Sequence, residues 1–104
     1  MAGRGRLANK AQQQAAAEQI AIAALAFLAA DRERFARFLE ETGFAVESIR
    51  RAAQDPGFLI GVLDHFASHE AILLAFAAEH EMDPADVLAA RNLLAGPHRE
   101  GDAP

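Results

Sequence analysis

Nowhere does this chain alternate apolar and polar residues with a period of two. Its large apolar residues recur at spacings of three and four, as in Phe35, Phe38 and Leu39, or Leu59, Ile60, Leu63 and Phe66. Those spacings gather side chains on one face of a helix and scatter them over both faces of a strand, so the expected fold class is all-α. A length of 104 residues makes one domain and leaves no room for a second. Of the 52% hydrophobic residues about half are alanine, so the chain supports one compact but thin core.

Punctuation divides the chain. Residues 1–8 read as a flexible basic arm. Asn9 and Gln12 have the spacing of a capping box, which starts a first helix running to about Ala30. Its second half, Ile20 to Leu28, is apolar all round, so it is buried inside the domain or against a partner. Asp31 caps a second helix, Gly43 ends it, and Phe44 supplies the apolar contact just beyond. A third helix spans about Val46 to Gln54, with Ile49 and Ala53 inward and Arg50 and Arg51 toward solvent. Asp55-Pro56 starts a fourth helix and Asp83-Pro84 a sixth, each pairing an aspartate cap with proline at the first helical position. Between them Ser68 offers a cap for a fifth helix, whose centre Ile72 to Phe76 is apolar on every side. Gly96-Pro97 ends the last helix. The expectation is a single helical domain over 9–96, an orthogonal bundle of five to six short helices with the first and fifth at its centre. Residues 97–104 read as a disordered polar tail.

A shift of 38 residues brings Ile22 onto Ile60, Leu25 onto Leu63, Leu28 onto Phe66, Phe35 onto Leu73, Phe38 onto Phe76, Phe44 onto Met82 and Ile49 onto Val87. The corner Gly43-Phe44-Ala45-Val46 lands on Glu81-Met82-Asp83-Pro84. Two origins fit: a duplicated three-helix unit, or helical periodicity and abundant alanine matching by accident. Phe27 against His65 and Arg34 against Ile72 are mismatches.

Ala24-Leu25-Ala26-Phe27-Leu28-Ala29, Phe38-Leu39-x-x-Thr42-Gly43, Leu63-Asp64-His65, Leu73-Leu74-Ala75-Phe76 and Asp83-Pro84 together resemble a family of small bacterial proteins catalogued only as a domain of unknown function. The resemblance spans roughly Glu18 to Leu94 and implies an all-helical cytoplasmic protein with no assigned activity. Two positions depart from the family pattern: His69, where it often has Asp, and Ala45-Val46, where an Asp-Pro often opens the third helix.

Charge is uneven. The net of −5 divides into eight basic against six acidic residues over 1–51, and two against nine over 52–104. An acidic body argues against bulk phosphate binding, and opposed halves favour head-to-tail contact between copies. Arg4, Arg6 and Lys10 ahead of Ile20–Ala30 have the outline of an export signal. The long polar lead-in with Gln12, Gln13, Gln14 and Glu18 argues against it, and the run is too short to span a bilayer. The expected compartment is the cytoplasm.

Chemistry is sparse. With no cysteine there is no disulfide, thiolate zinc site or cysteine nucleophile. His65 and His69 are four apart, the spacing of metal-binding histidines on one helix face, and they are the candidate metal residues. A Ser68 cap between two helices would break that face, and the His-Glu-x-x-His pattern fails because Leu73 stands at its second histidine. Glu40 and Glu41 point about 100° apart and read as a solvated face, with Arg37 pairing to Glu41. Neither Ser48 nor Ser68 sits in a nucleophile elbow, and no glycine loop cradles phosphate. Gly57 and Gly61, four apart in the fourth helix, suggest a close helix crossing. The second and third helices have the outline of a helix-turn-helix, with Arg50, Arg51 and the arm residues Arg4 and Arg6 as its nucleic-acid contacts. The expectation that remains is a non-catalytic cytoplasmic protein without cofactor or small-molecule substrate, acting by protein–protein contact or as a homodimer. A nucleic-acid-associated regulator and a metal-binding protein are the alternatives.

Overall fold

Three aspartates open helices as their positions predict. In a computed structural model, which describes residues 2–96, the Asp31 carboxylate accepts the backbone N–H groups of Glu33 and Arg34 at 2.9 and 3.1 Å. Asp55 accepts from Gly57 and Asp83 from Ala85, both at 2.9 Å, with Pro56 and Pro84 in the first turn. The elements are α1 (Ala2–Ala29), α2 (Arg32–Thr42), a 3-10 turn (Val46–Ser48), α3 (Ile49–Ala52), α4 (Pro56–Ser68), α5 (Glu70–Glu79) and α6 (Pro84–Ala95). No strand occurs among the described residues, so the fold is all-α.

Several boundaries differ from expectation. α1 begins at Ala2 rather than Asn9, so the segment read as a flexible arm is helical backbone from residue 2 onward. Good helix formers such as Arg6, Leu7, Ala8 and Lys10 carry the helix through Asn9. The tail expected over 97–104 lies outside the described residues. Helix α5 is entered at His69, not capped by Ser68, and neither His69 nor Ala45 makes a side-chain cap hydrogen bond. Both positions that depart from the family pattern thus open an element without a side-chain cap, as does Ser48 ahead of α3.

The centre also differs. α1, α4 and α6 pack on one another most extensively, so α4 takes the place expected of α5. α4 buries Phe58, Leu59, Val62, Leu63, His65 and Phe66, whereas α5 buries Leu73, Phe76 and Ala77 and leaves Leu74 exposed. α1 and α6 pack extensively, and their buried residues include Ala17, Ala21 and Ala24 on α1 and Ala90 and Ala95 beside Val87 and Leu94 on α6. Small side chains let helix backbones approach closely, which is how an alanine-rich chain excludes water from a thin core.

The backbone repeats in the 38-residue register. Asp31 and His69 are the N-caps of α2 and α5, and Ala45 and Asp83 those of the 3-10 turn and α6. Gly43 and Glu81 both have positive φ, 80° and 52°, a conformation shared among the described residues only with Gly96. The bend from α1 into α2 is 115° and that from α4 into α5 is 107°. Caps, bends and positive-φ corners thus fall in one register, so the two halves share a three-helix pattern. Their third elements differ: a 3-10 turn and one turn of helix in the first half, a twelve-residue α6 in the second.

No single helix among the described residues is long and apolar enough to cross a membrane. Gly43 closes α2 by donating its N–H to the Leu39 carbonyl at 2.8 Å, and a Cβ there would meet nothing within 4 Å. Gly43→Ala therefore carries only the left-handed backbone penalty, and urea unfolding followed by far-UV circular dichroism should show a loss of about 1 kcal/mol.

Candidate functional site

The last turn of α2 is fixed to α4 by one ring. Phe38 is fully buried, edge-on to Phe58 (6.2 Å between centroids) and to the imidazole of His65 (5.2 Å), and stacked on Phe44 at 6.2 Å. Glu41 lies three residues further along α2, which brings its carboxylate over the end of α4 while leaving the side chain 44% exposed.

His65 and His69 meet there. The junction that was expected to separate them brings them together: their rings stack with centroids 4.2 Å apart. The physical reason is that α4 runs to Ser68, so the four-residue spacing still describes a helical turn, and the sharp bend comes only at His69 (φ −130°, ψ 86°). The His69 ring is then tied back, its Nδ1–H donating to the His65 carbonyl at 2.8 Å. A carbonyl only accepts, so Nδ1 is the protonated nitrogen and Nε2 faces Glu41, 3.2 Å from Oε1 and 3.3 Å from Oε2. The Nδ1 of His65 lies 3.5 Å from the same Oε1. Its Nε2 is buried without a hydrogen-bond partner. The ligand-capable atoms of Glu41, His65 and His69 all fall within 4.8 Å of one another, the one such grouping among the described residues.

Burial holds the pKa of His65 below 6.5, the charge of His69 pushes the same way, and Glu41 opposes both, with Arg37 adding a smaller lowering. The arrangement is a neutral buried imidazole, a half-buried imidazole and an exposed carboxylate at the edge of a groove of about 350 Å³, whose rim includes Thr42, Asp64 and Ser68. Asp64 is engaged elsewhere, accepting from Arg91 Nε at 2.6 Å and tying α4 to α6.

The duplicated frame contains this groove twice. Ala23, Ala26, Phe27, Ala30 and Asp31 of the first unit, with Glu79 and His80, line a groove of about 390 Å³. Each stands 38 positions from a residue of the first groove: Gly61, Asp64, His65, Ser68, His69, Glu41 and Thr42. In the second groove Phe27 replaces His65, Asp31 replaces His69 and spends its carboxylate as a helix cap, and Arg34 lies over the Phe27 ring at 4.4 Å. The mismatch of Phe27 against His65 is thus where the two grooves part chemically.

Of the other sequence candidates, Arg50 and Arg51 are exposed on α3, a single helical turn. That is shorter than a helix needs to be to lie along a nucleic-acid groove and present successive side chains. The side chains of Arg4 and Arg6 lie outside the described residues. The expected Arg37–Glu41 pair does not form; the Glu41 carboxylate lies instead against the two histidine rings. Glu41 itself was not visible as a site residue. It is 24 positions from His65, and its one sequence signal is its place one turn beyond Phe38.

Residues 14–97 match the family model described as "Protein of unknown function (DUF3572)". The chain belongs to that family. The DUF3572 match covers both grooves and the whole Glu41–His65–His69 cluster. Comparisons with curated proteins and with solved structures found no match.

Because folding lowers the pKa of His65, the unfolded chain binds the proton more readily. The stability contributed by neutral His65 is complete above about pH 6.5 and is lost as pH falls from there toward the folded-state value. An NMR titration of the metal-free protein should show His65 titrating below 6.5, and Glu41→Gln should lower it further. A His65 midpoint at or above 6.5 would contradict the burial argument.

Proposed function

We propose that this protein is a non-catalytic, cytoplasmic helical domain that works by pairing with a second copy of itself through α1. The observation that carries this is an uncovered apolar stripe. Ala11, Ala15, Ile22, Ala26 and Ala29 follow one another at helical spacings on one face of α1, and all are exposed, Ile22 by 48%. The stripe is about 27 Å long at 1.5 Å per residue. At Ala29 it runs into a groove of about 570 Å³ lined by Phe35, Ala36, Leu39 and Val46, with Val46 exposed by 55%. Upstream of Ala17 no described side chain of α1 is buried, and a helical segment of that length without tertiary packing is marginal in water. A second α1 would cover the stripe, and small side chains permit the close approach that such pairing needs.

Sedimentation velocity with interference optics, chosen because the chain has no Trp or Tyr, should show a dimer that dissociates on dilution. Ile22→Lys and Val46→Lys remove apolar surface that the fold does not bury, so each should weaken the dimer at least about tenfold with an unchanged circular dichroism spectrum. A wild-type chain that remains monomeric over the whole concentration range would overturn the proposal.

A further inference from the structure

The geometry points to a binding site for a single divalent transition-metal ion of the zinc class, held by the Glu41 carboxylate, His65 Nδ1 and His69 Nε2. It stands apart from the pairing through α1 and uses none of its residues.

The spacing of the donor atoms fits an ion. Ligands about 2.0–2.1 Å from a tetrahedral zinc stand about 3.4 Å from one another. Glu41 Oε1 is 3.5 Å from His65 Nδ1 and 3.2 Å from His69 Nε2, and the three donor atoms all lie within 4.8 Å of one another. Two imidazoles and a carboxylate form a set that suits zinc and its neighbours better than the all-oxygen preference of calcium or magnesium.

The protonation pattern fits as well. His69 Nδ1 is committed to the His65 carbonyl at 2.8 Å, which leaves Nε2 as the nitrogen facing Glu41. That nitrogen and the Glu41 carboxylate face each other across 3.2–3.3 Å, the space an ion would fill. An imidazole N–H fixed by a backbone carbonyl is the support that orients metal-ligating histidines. The His65 ring is held between Phe38 and His69. The exposed side of Glu41 opens on the groove, leaving the remaining coordination position to water or to a donor atom from outside.

The duplicated frame supplies an internal contrast. The equivalent groove keeps the carboxylate, Glu79, but has Phe27 and a capping Asp31 at the histidine positions. The same backbone therefore carries one groove with a donor set and one without.

The test uses the untagged full-length chain, stripped with chelator and desalted, and zinc chloride as the probe. Calorimetry should show saturable uptake of one zinc per chain. Glu41→Gln and His69→Gln, both at positions open to solvent, should each weaken it by about 10–100-fold with an unchanged circular dichroism spectrum, and Glu79→Gln should not change it. No saturable uptake, or uptake indifferent to Glu41→Gln and His69→Gln, or weakened equally by Glu79→Gln, overturns the site. Should either variant fail to fold, ring resonances of the wild-type histidines decide. Zinc should shift those of His65 and His69, and shifts confined to His80 or His98 count against the site.

Discussion

The Phe38 ring, fully buried at the meeting of α2 and α4, is the contact on which the geometry of the groove depends. α2 leaves α1 through a 115° bend and would otherwise be free to swing about that corner. Phe38 stops it, with Phe58 and His65 against its face and Phe44 stacked from beyond the Gly43 turn. A ring of that size contributes several kcal/mol when removed from water, so few alternatives for α2 are competitive. Glu41 inherits its position from this anchor, and His65 its orientation, because the imidazole is the edge partner of the same ring.

Duplication explains how so small a chain reaches this arrangement. Two three-helix units with matching caps, bends and left-handed corners bury their apolar faces on each other, with α4 between α1 and α6. Each unit completes a groove with the last turn of the other unit's middle helix: α2 closes over α4, and α5 over α1. Matching lining positions leave the difference in chemistry to the side chains. At one groove Arg34 covers the Phe27 ring, and the Asp31 carboxylate is engaged as a helix cap. At the other His65 and His69 leave donor atoms facing a carboxylate, and the helix there goes without a side-chain cap. A capping interaction is worth about 1 kcal/mol, so the His65–His69 groove forgoes stability that the Phe27–Asp31 groove retains.

Much of this was legible in the residues. Asp-Pro at 55 and 83, Asp31 and Gly43 each act through their nearest neighbours in sequence, and each fixes the helix boundary it predicts. The 38-residue register was readable from apolar positions, and caps, bends and positive-φ corners recur in the same register. What sequence could not supply was non-local. The choice of α4 over α5 for the centre depends on which apolar face the other helices cover, not on how apolar the helix is. The meeting of His65 and His69 depends on a bend that falls one residue later than a Ser68 cap would put it. Glu41 joins them across 24 residues through the packing of Phe38, which no local pattern encodes.

The claim on which these strands converge is that one of two equivalent grooves has become a metal site. Anomalous diffraction at the zinc edge, from crystals of the full chain grown with equimolar zinc, tests it most directly. The account predicts one peak bonded to a Glu41 oxygen, His65 Nδ1 and His69 Nε2, with the Glu79–His80 groove empty. A structure with the same helices in which zinc lies elsewhere, or in which His69 is turned away from Glu41, would contradict it.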